Sequence, residues 1–322
     1  MAVMTLAEVK KGMQDDVLKG VIDEFIKGDY LFQMIPFNFI ANKITGGAGW
    51  ATAYVYLTEE SKTGFRDING QYTDTMAKKE TKRAEVKIYG GSFKIDRALR
   101  DQGGVENEVA FQMGQLIKGI RKGFSYSLIN GSLATDSKSF DGLDVLLKGT
   151  KTDMNAHATG FDLSTFAKTK ENALEFASKI NEFLSLLDEK PHALLGNSLL
   201  INRIKDVARI TGQYTKKDNE FGETVDHFDN IPLEVLGTYA PEGTTAKETI
   251  DIDGTGNTCL YAIRFGADAL QVASPDNGKA FDVILPDFSQ ASEQVRGMVE
   301  LRGVPIITHS KSCGVLRKIK VK

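Results

Sequence analysis

The chain has little cysteine, no long apolar run and no excess of positive charge. Among its 322 residues only Cys259 and Cys313 are cysteines, and they are far apart. They lack the CxxC spacing of a zinc site, so we expect two reduced thiols in the core of a cytosolic protein. No apolar stretch approaches the ~20 residues that a membrane-spanning helix needs. We therefore expect no membrane partner.

A basic footprint, the usual mark of a nucleic-acid-binding protein, is also missing. The formal net charge is −3, which gives no overall reason to expect binding to DNA or RNA. The C-terminal tail is locally basic and has no acid after Glu300. This tail is either a solvated end or a contact surface. As a contact surface it would meet an acidic neighbour or packaged nucleic acid. The N-terminus lacks the continuous apolar region of a signal peptide, so a cytoplasmic protein is expected.

Motifs that carry catalytic or metal chemistry are scarce. The sequence has no Walker phosphate loop and no GxSxG nucleophile elbow. Residues 251–256 match part of a calcium loop, but Ala262 stands where the bidentate glutamate is required. Residues 226–229 offer three potential ligands without an accompanying motif. We expect a tight turn at 251–256 and predict no metal and no cofactor.

A long polar segment lies between two runs that are typical of strands. The runs are 50–57 and 81–89, and Ala84, Val86 and Ile88 alternate with charged residues in the second. Hairpin loops usually need only about 2–5 residues, whereas this connection covers residues 58–80. Ordering so long a loop is costly unless something outside the domain holds it.

The composition of this segment favours an intermolecular arm. Many charged residues surround four scattered apolar side chains, which are Phe65, Ile68, Tyr72 and Met76. The residues that we predict to contact another subunit are Arg66, Tyr72, Lys78 and Lys79.

The strongest helix signal covers residues 105–129, where apolar residues form one stripe at helical spacing. Gly114, Gly119 and Gly123 interrupt this helix, and each costs up to ~1 kcal/mol relative to alanine. Close packing of another backbone against Gly119 and Gly123 would explain them; a neutral exposed surface is the alternative. Further helices are predicted at 164–187 and at 198–209, where Ser198 is the candidate cap. The later residues favour strands, among them 295–301 and 303–308, so the fold class is α+β.

The order of these features resembles the major capsid proteins of tailed bacteriophages, whose Hong Kong 97-type shell fold encapsulins share. Three phrases carry the resemblance: Gly91–Arg97 (GSFKIDR), Phe140–Leu143 (FDGL) and Ala193–Ser198 (ALLGNS). It covers nearly the whole chain. It implies an α+β fold with an N-arm, an extended β-hairpin called the E-loop, a spine helix in a peripheral domain, and an axial domain.

The resemblance also implies a division of the chain. Residues 1–45 would form the N-terminal arm and 46–92 the E-loop hairpin with its flanking strands. Residues 93–140 would form the peripheral domain with the spine helix. Residues 141–322 would hold the axial domain together with strands that return to the peripheral domain, and the sequence does not assign that split.

The function that the resemblance implies is structural. The chain would be a major capsid protein, not an enzyme, that assembles into pentamers and hexamers of an icosahedral shell around phage DNA. Its partners would be other copies, a separate scaffolding protein, a portal and non-specifically packaged double-stranded DNA. It would be assembled in the host bacterial cytoplasm and reside in the virion. The alternatives are an encapsulin-like compartment and an α+β enzyme with dispersed catalytic residues.

Overall fold

A computed structural model describes residues 4–5, 30–43, 49–59, 61–72, 74–96, 105–158, 160–218, 224–240, 245–275, 280–289 and 292–322. The helices are α1 (Tyr30–Met34), α2 (Val105–Asn130), α3 (Leu143–Leu147), α4 (Phe166–Glu171), α5 (Ala173–Ser185) and α6 (Ser198–Thr211). Within the described residues, no helix is both long and apolar enough to cross a membrane. Most of the predicted N-terminal arm lies outside the described residues.

The strands come in chain order between and after these helices. They are β1 (Met4–Thr5), β2 (Pro36–Lys43), β3 (Trp50–Glu59), β4 (Lys78–Glu85), β5 (Lys87–Asp96), β6 (Asp153–Asn155), β7 (Phe161–Asp162), β8 (Ala193–Leu195), β9 (Tyr214–Asp218), β10 (Thr224–Phe228), β11 (Ile231–Glu234), β12 (Thr238–Tyr239), β13 (Lys247–Glu248), β14 (Asn257–Ile263), β15 (Leu270–Pro275), β16 (Phe281–Ile284), β17 (Gln294–Ile307) and β18 (Gly314–Lys320).

Two eight-stranded sheets organise the molecule and confirm the α+β class. The first has the order β16-β17-β15-β2-β3-β4, with β1 pairing β2 and β5 pairing β17. The second has the order β6-β18-β14-β8-β11-β10-β9, with β7 pairing β18. Strands β15, β16 and β17 come late in the chain and return to the first sheet.

Helix α2 confirms the predicted spine helix and ends one residue later than expected. At 1.5 Å per residue it is about 39 Å long. Its apolar stripe is buried against the first sheet; the fully or nearly buried members are Met113, Ile117, Ile120, Phe124 and Leu128. It packs closely on β5, because a Cβ added at Gly91 would lie 2.6 Å from Leu116 Cδ1.

The second sheet contributes to two hydrophobic cores because successive strand residues point to opposite faces. Leu195 and Ile263 belong to the core beneath α2, whereas their neighbours Leu194 and Ala262 belong to the core beneath α5 and α6. This shared sheet joins the two halves of the molecule.

Three predicted element boundaries are wrong. The helix predicted at 164–187 is divided into α4 and α5 at Asn172, whose side chain donates to the Asp162 carbonyl over 2.9 Å. The cap of α6 is Asn197 rather than Ser198, since Asn197 Oδ1 accepts from the Leu199 N–H at 3.0 Å. The strand predicted at 81–89 is interrupted at Val86, and Ile88 is therefore 56% exposed instead of sharing a buried face.

Candidate inter-subunit surface

Strands β3 and β4 form the predicted hairpin, with an antiparallel register that runs from Ala51 opposite Glu85 to Glu59 opposite Lys78. The register shifts between Leu57 and Glu59, and Thr58 Oγ1 donates to the Lys78 carbonyl at 3.0 Å. Such a bulge bends a hairpin and increases its local twist. The arm of residues 61–77 therefore begins at a defined bend.

The end of the hairpin from which the arm projects is attached to the body through backbone hydrogen bonds. The Leu57 N–H donates to the Thr308 carbonyl at 3.1 Å, and the Ser310 N–H donates to the Leu57 carbonyl at 3.3 Å. Sequence reasoning missed this attachment. No local pattern could have revealed it, because the partners are about 250 residues apart and use only their main chains.

Beyond the bend, polar groups hold the arm in a local turn. The Gly70 N–H donates to the Asp67 carbonyl at 2.9 Å, and Asn69 has a φ of 69°, which asparagine tolerates better than most residues. Arg66 Nη1 donates to the Gly70 carbonyl at 3.2 Å. The turn therefore presents residues 67–70 as an ordered projection.

The apolar side chains of the arm are not buried by its own subunit. Ile68 is 94% exposed, Met76 89% and Tyr72 63%, and Phe65 is fully exposed. Isolated exposed apolar residues are common, but four on one projecting segment are typical of an interaction surface. Complete burial of such a side chain contributes roughly 1.5–3 kcal/mol.

The four predicted contact residues fall at two places on the arm. Arg66 and Tyr72 come together near the tip, with the guanidinium 5.3 Å from the ring centroid. Lys78 and Lys79 lie at the base, where Lys78 Nζ is 2.9 Å from Glu59 Oε2. The hydrogen bond and positive charge of Lys78 lower the pKa of Glu59. Contact of these residues with another subunit stays a prediction.

The two glycines of the spine helix differ in their surroundings. A Cβ added at Gly123 would lie 1.7 Å from Tyr89 Oη and 3.1 Å from Tyr239 Cε2, so this glycine makes room for two tyrosines. The close neighbours within the subunit are thus side chains. Packing of another backbone against Gly123 stays a prediction. A Cβ added at Gly119 would have no described neighbour within 4 Å. Packing of Gly119 against another subunit stays a prediction.

The two segments considered for metals use their polar groups within the chain. Asp253 Oδ1 accepts from the Thr255 and Asn257 N–H groups at 2.8 and 2.9 Å, which confirms the turn at 251–256. Asp226 accepts from Tyr214 Oη at 2.6 Å and pairs with Lys205 at 2.6 Å. Within the part of the chain that the structure describes, no group of three potential ligands is positioned to hold a metal.

Known structures provide an independent comparison. The chain is similar to the SrpI encapsulin of Synechococcus elongatus, with a TM-score of 0.57, 12% identity, and coverage of 99% of this chain and 97% of that one. It is similar to the capsid of an empty GTA particle, with a TM-score of 0.55, 12% identity, and coverage of 90% and 89%. It is also similar to a structure from Mycobacterium phage Bobi, with a TM-score of 0.53, 11% identity, and coverage of 90% of this chain and 90% of that one.

These similarities concern the fold, because the sequences have diverged to 11–12% identity. No protein-family model matches the chain, and no curated protein matches its sequence. The match to the encapsulin covers 99% of this chain and so includes both sheets, α2 and the projecting hairpin. The chain therefore has the Hong Kong 97-type fold that phage capsid and encapsulin shell subunits share.

Proposed function

We propose that this protein is a major capsid protein, a structural subunit that assembles into the icosahedral head shell around phage DNA. The observation that carries the proposal is the projecting arm, whose four apolar side chains are exposed in the single subunit. Burial of those side chains on neighbouring copies would supply the driving force for association. The similarity to shell-forming proteins over most of the chain supports this interpretation.

The proposed mechanism is assembly through many modest contacts. An arm on one subunit and a receiving surface elsewhere on the next make a head-to-tail contact, which closes into a ring when the rotation permits. Each subunit is then held by several neighbours at once, and linked contacts raise the effective concentration of the others. No turnover chemistry is part of this function.

The proposed domain division follows the two sheets. Within the N-terminal arm of residues 1–45 and the E-loop of residues 46–92, α1, β2 and β5 belong to the sheet and core of their own subunit. The projecting part of the E-loop, residues 61–77, reaches a neighbouring subunit. Residues 93–140, with α2, form the peripheral domain together with the returning strands of the first sheet. The second sheet and helices α4 to α6 form the axial domain, which would close pentamers and hexamers.

The proposed partners are other copies, a separate scaffolding protein, a portal and packaged double-stranded DNA. The contact with DNA is non-specific, in keeping with the net charge of −3. The proposed location is the virion, after assembly in the host bacterial cytoplasm.

An encapsulin-like compartment is the second candidate, because an encapsulin is among the structures that match this chain. Such a compartment would assemble by the same proposed mechanism, but it would enclose a cargo protein instead of phage DNA. Particles that enclose a cargo protein and no DNA, when isolated from the native host, would favour it over a phage head.

Sedimentation and negative-stain microscopy of the purified chain, with and without a co-expressed scaffolding candidate, test the proposal. Closed shells or rings of five and six subunits are expected. A small discrete oligomer under all of these conditions would contradict it and favour an enzyme or another unrelated function.

A further inference from the structure

A cleft of about 260 Å³ lies where the projecting arm meets the body of the subunit. Residues 57–59 and 62 line it from the arm side, and residues 151 and 309–311 line it from the body. The backbone hydrogen bonds of Leu57 with Thr308 and Ser310 join the two sides. A ligand in this cleft would therefore contact the arm and the body at the same time.

Basic side chains are concentrated in the lining of this cleft, which includes Lys62, Lys151, His309 and Lys311. Two carboxylates offset part of the positive charge. Asp188 Oδ2 lies 2.7 Å from His309 Nδ1, and Asp188 Oδ1 lies 3.6 Å from Lys311 Nζ, so one carboxylate is shared by two basic groups. Glu59, which also lines the cleft, is paired with Lys78 at 2.9 Å. Both carboxylates are thus already engaged with basic groups.

Lys62 and Lys151 are the two lining lysines without such a partner. Both are exposed, and neither is paired with a carboxylate among the residues that the structure describes. The hydrogen bond and charge of Lys78 lower the pKa of Glu59, and the charges of Lys151 and Lys62 add to this effect. The cleft therefore has an excess of positive charge, although the whole chain has a net charge of −3.

We propose that this cleft binds phosphate groups, and that a bound phosphate bridges the arm to the body of its own subunit. Lys62 would contact the phosphate from the arm and Lys151 from the body, and the Ser310 hydroxyl is a further donor in the lining. A phosphate group offers several strong acceptor oxygens and up to two negative charges, which matches two unpaired ammonium groups better than a single carboxylate does. Lysine binds phosphate as a point charge and needs no fixed geometry. Such groups occur in free polyphosphates and along a nucleic-acid backbone.

Calorimetric titration of the unassembled full-length subunit with inorganic pyrophosphate tests the site. Low ionic strength is needed, because salt screens exposed charges. Lys62→Gln and Lys151→Gln should each weaken binding by up to about fivefold, and the double variant should bind more weakly than either single variant. The matched control is Lys170→Gln with Lys217→Gln, which removes two exposed lysines outside the cleft and should bind like the wild type.

Hydrogen exchange tests the bridge between arm and body. The N–H groups of Leu57 and Ser310 make the hydrogen bonds that join the two sides of the cleft. Pyrophosphate should slow the exchange of both amides in the wild type and in the control variant, because a ligand that holds both sides opposes their separation. It should not slow their exchange in the Lys62→Gln, Lys151→Gln variant.

A short double-stranded DNA used in place of pyrophosphate identifies the source of the phosphate. DNA binding that weakens in the double variant, together with pyrophosphate binding, would support the inference and assign the cleft to nucleic-acid backbones. Pyrophosphate binding without such an effect on DNA would support it and assign the cleft to free polyphosphates.

Two results would overturn the inference. One is equal pyrophosphate affinity in the wild type, the double variant and the control, and the other is unchanged exchange at Leu57 and Ser310. Neither result bears on the proposed function, because shell formation by the wild type is measured separately and does not depend on this cleft.

Discussion

At the scale of single residues, Gly119 and Gly123 have opposite consequences when substituted. Gly123→Leu should destabilise the subunit by about 1–3 kcal/mol, because the added atoms overlap Tyr89 and Tyr239. Gly119→Ala should stabilise the unassembled subunit by up to ~1 kcal/mol, since its Cβ meets no described neighbour and alanine favours helix. Urea unfolding of the unassembled subunit measures both changes.

Shell yield adds a separate readout for Gly119. If a neighbouring subunit packs against this glycine, Gly119→Leu should lower the yield of shells although the subunit is folded. Normal shells from Gly119→Leu would reject that contact. Wild-type stability of Gly123→Leu would show that the tyrosines move aside without cost.

His192 links the stability of the subunit to pH. Partial desolvation of the ring and the charge of Arg264 lower the pKa of His192 below its usual value of 6.5, and its Nδ1 accepts from the Phe265 N–H at 3.1 Å. The unfolded chain therefore binds a proton more readily, so the free energy of unfolding should fall as pH drops below about 6.5. Carboxylates with lowered pKa values, such as Asp226, also reduce the free energy of unfolding as they become protonated, but they do so at lower pH than His192.

The matched variant is His192→Gln, whose side-chain oxygen can accept the same hydrogen bond without titrating. Between pH 7.5 and 5.5 the wild type should lose more stability than His192→Gln in urea unfolding. Equal losses in the two proteins would show that the protonation of His192 is not the cause.

At the scale of elements, the arm should be dispensable for folding and necessary for assembly. Replacement of residues 60–77 by Asn-Gly would join Glu59 to Lys78, which already lie opposite each other, through a turn that suits a two-residue hairpin. The subunit should keep its circular dichroism spectrum, because the replaced residues that the structure describes contribute no core side chain. Closed shells should be lost or fragile by sedimentation and microscopy.

Two results would contradict this account of the arm. Stable, normal shells from the replacement variant would remove its role in assembly. An unfolded variant would show instead that the arm supports its own subunit.

Elements with strong local patterns could be predicted from the sequence. The apolar stripe from Val109 to Leu128 located α2. The strand-like runs at 50–57 and 81–89 located β3 and parts of β4 and β5. The alternation pattern failed to show a strand boundary where the chain changes its pairing partner while the two-residue period continues. Alternation continues through Val86, yet the strand before it pairs with β3 and the strand after it pairs with β17.

The reverse error occurred in β17. The sequence predicted two strands, at 295–301 and 303–308, whereas one strand covers Gln294–Ile307. Its first part pairs with β5 and its last part with β15. Gly303 stands at this change of partner, and a Cβ there would lie 2.5 Å from Val272 Cγ1. Gly303 therefore allows β17 to approach β15 closely. In the sequence, a glycine at this point looks like the end of a strand, although the strand continues through it.

At the scale of the whole molecule, the two sheets depend on pairings that the local sequence does not encode. Strand β2 lies beside β15, more than 200 residues away, and β8 lies between β14 and β11. The candidate surface was predicted in part: the arm followed from its length and composition. Its attachment at Thr308 and Ser310 became visible only in three dimensions.

The most direct test of the shell account is a cryo-electron microscopy reconstruction of particles assembled from the full-length chain. It should show an icosahedral shell in which residues 61–77 of each subunit lie on a neighbour, with Phe65, Ile68, Tyr72 and Met76 buried at the contact. A discrete non-shell oligomer, or a shell whose arms stay exposed to solvent, would contradict the central claim that this arm builds the shell.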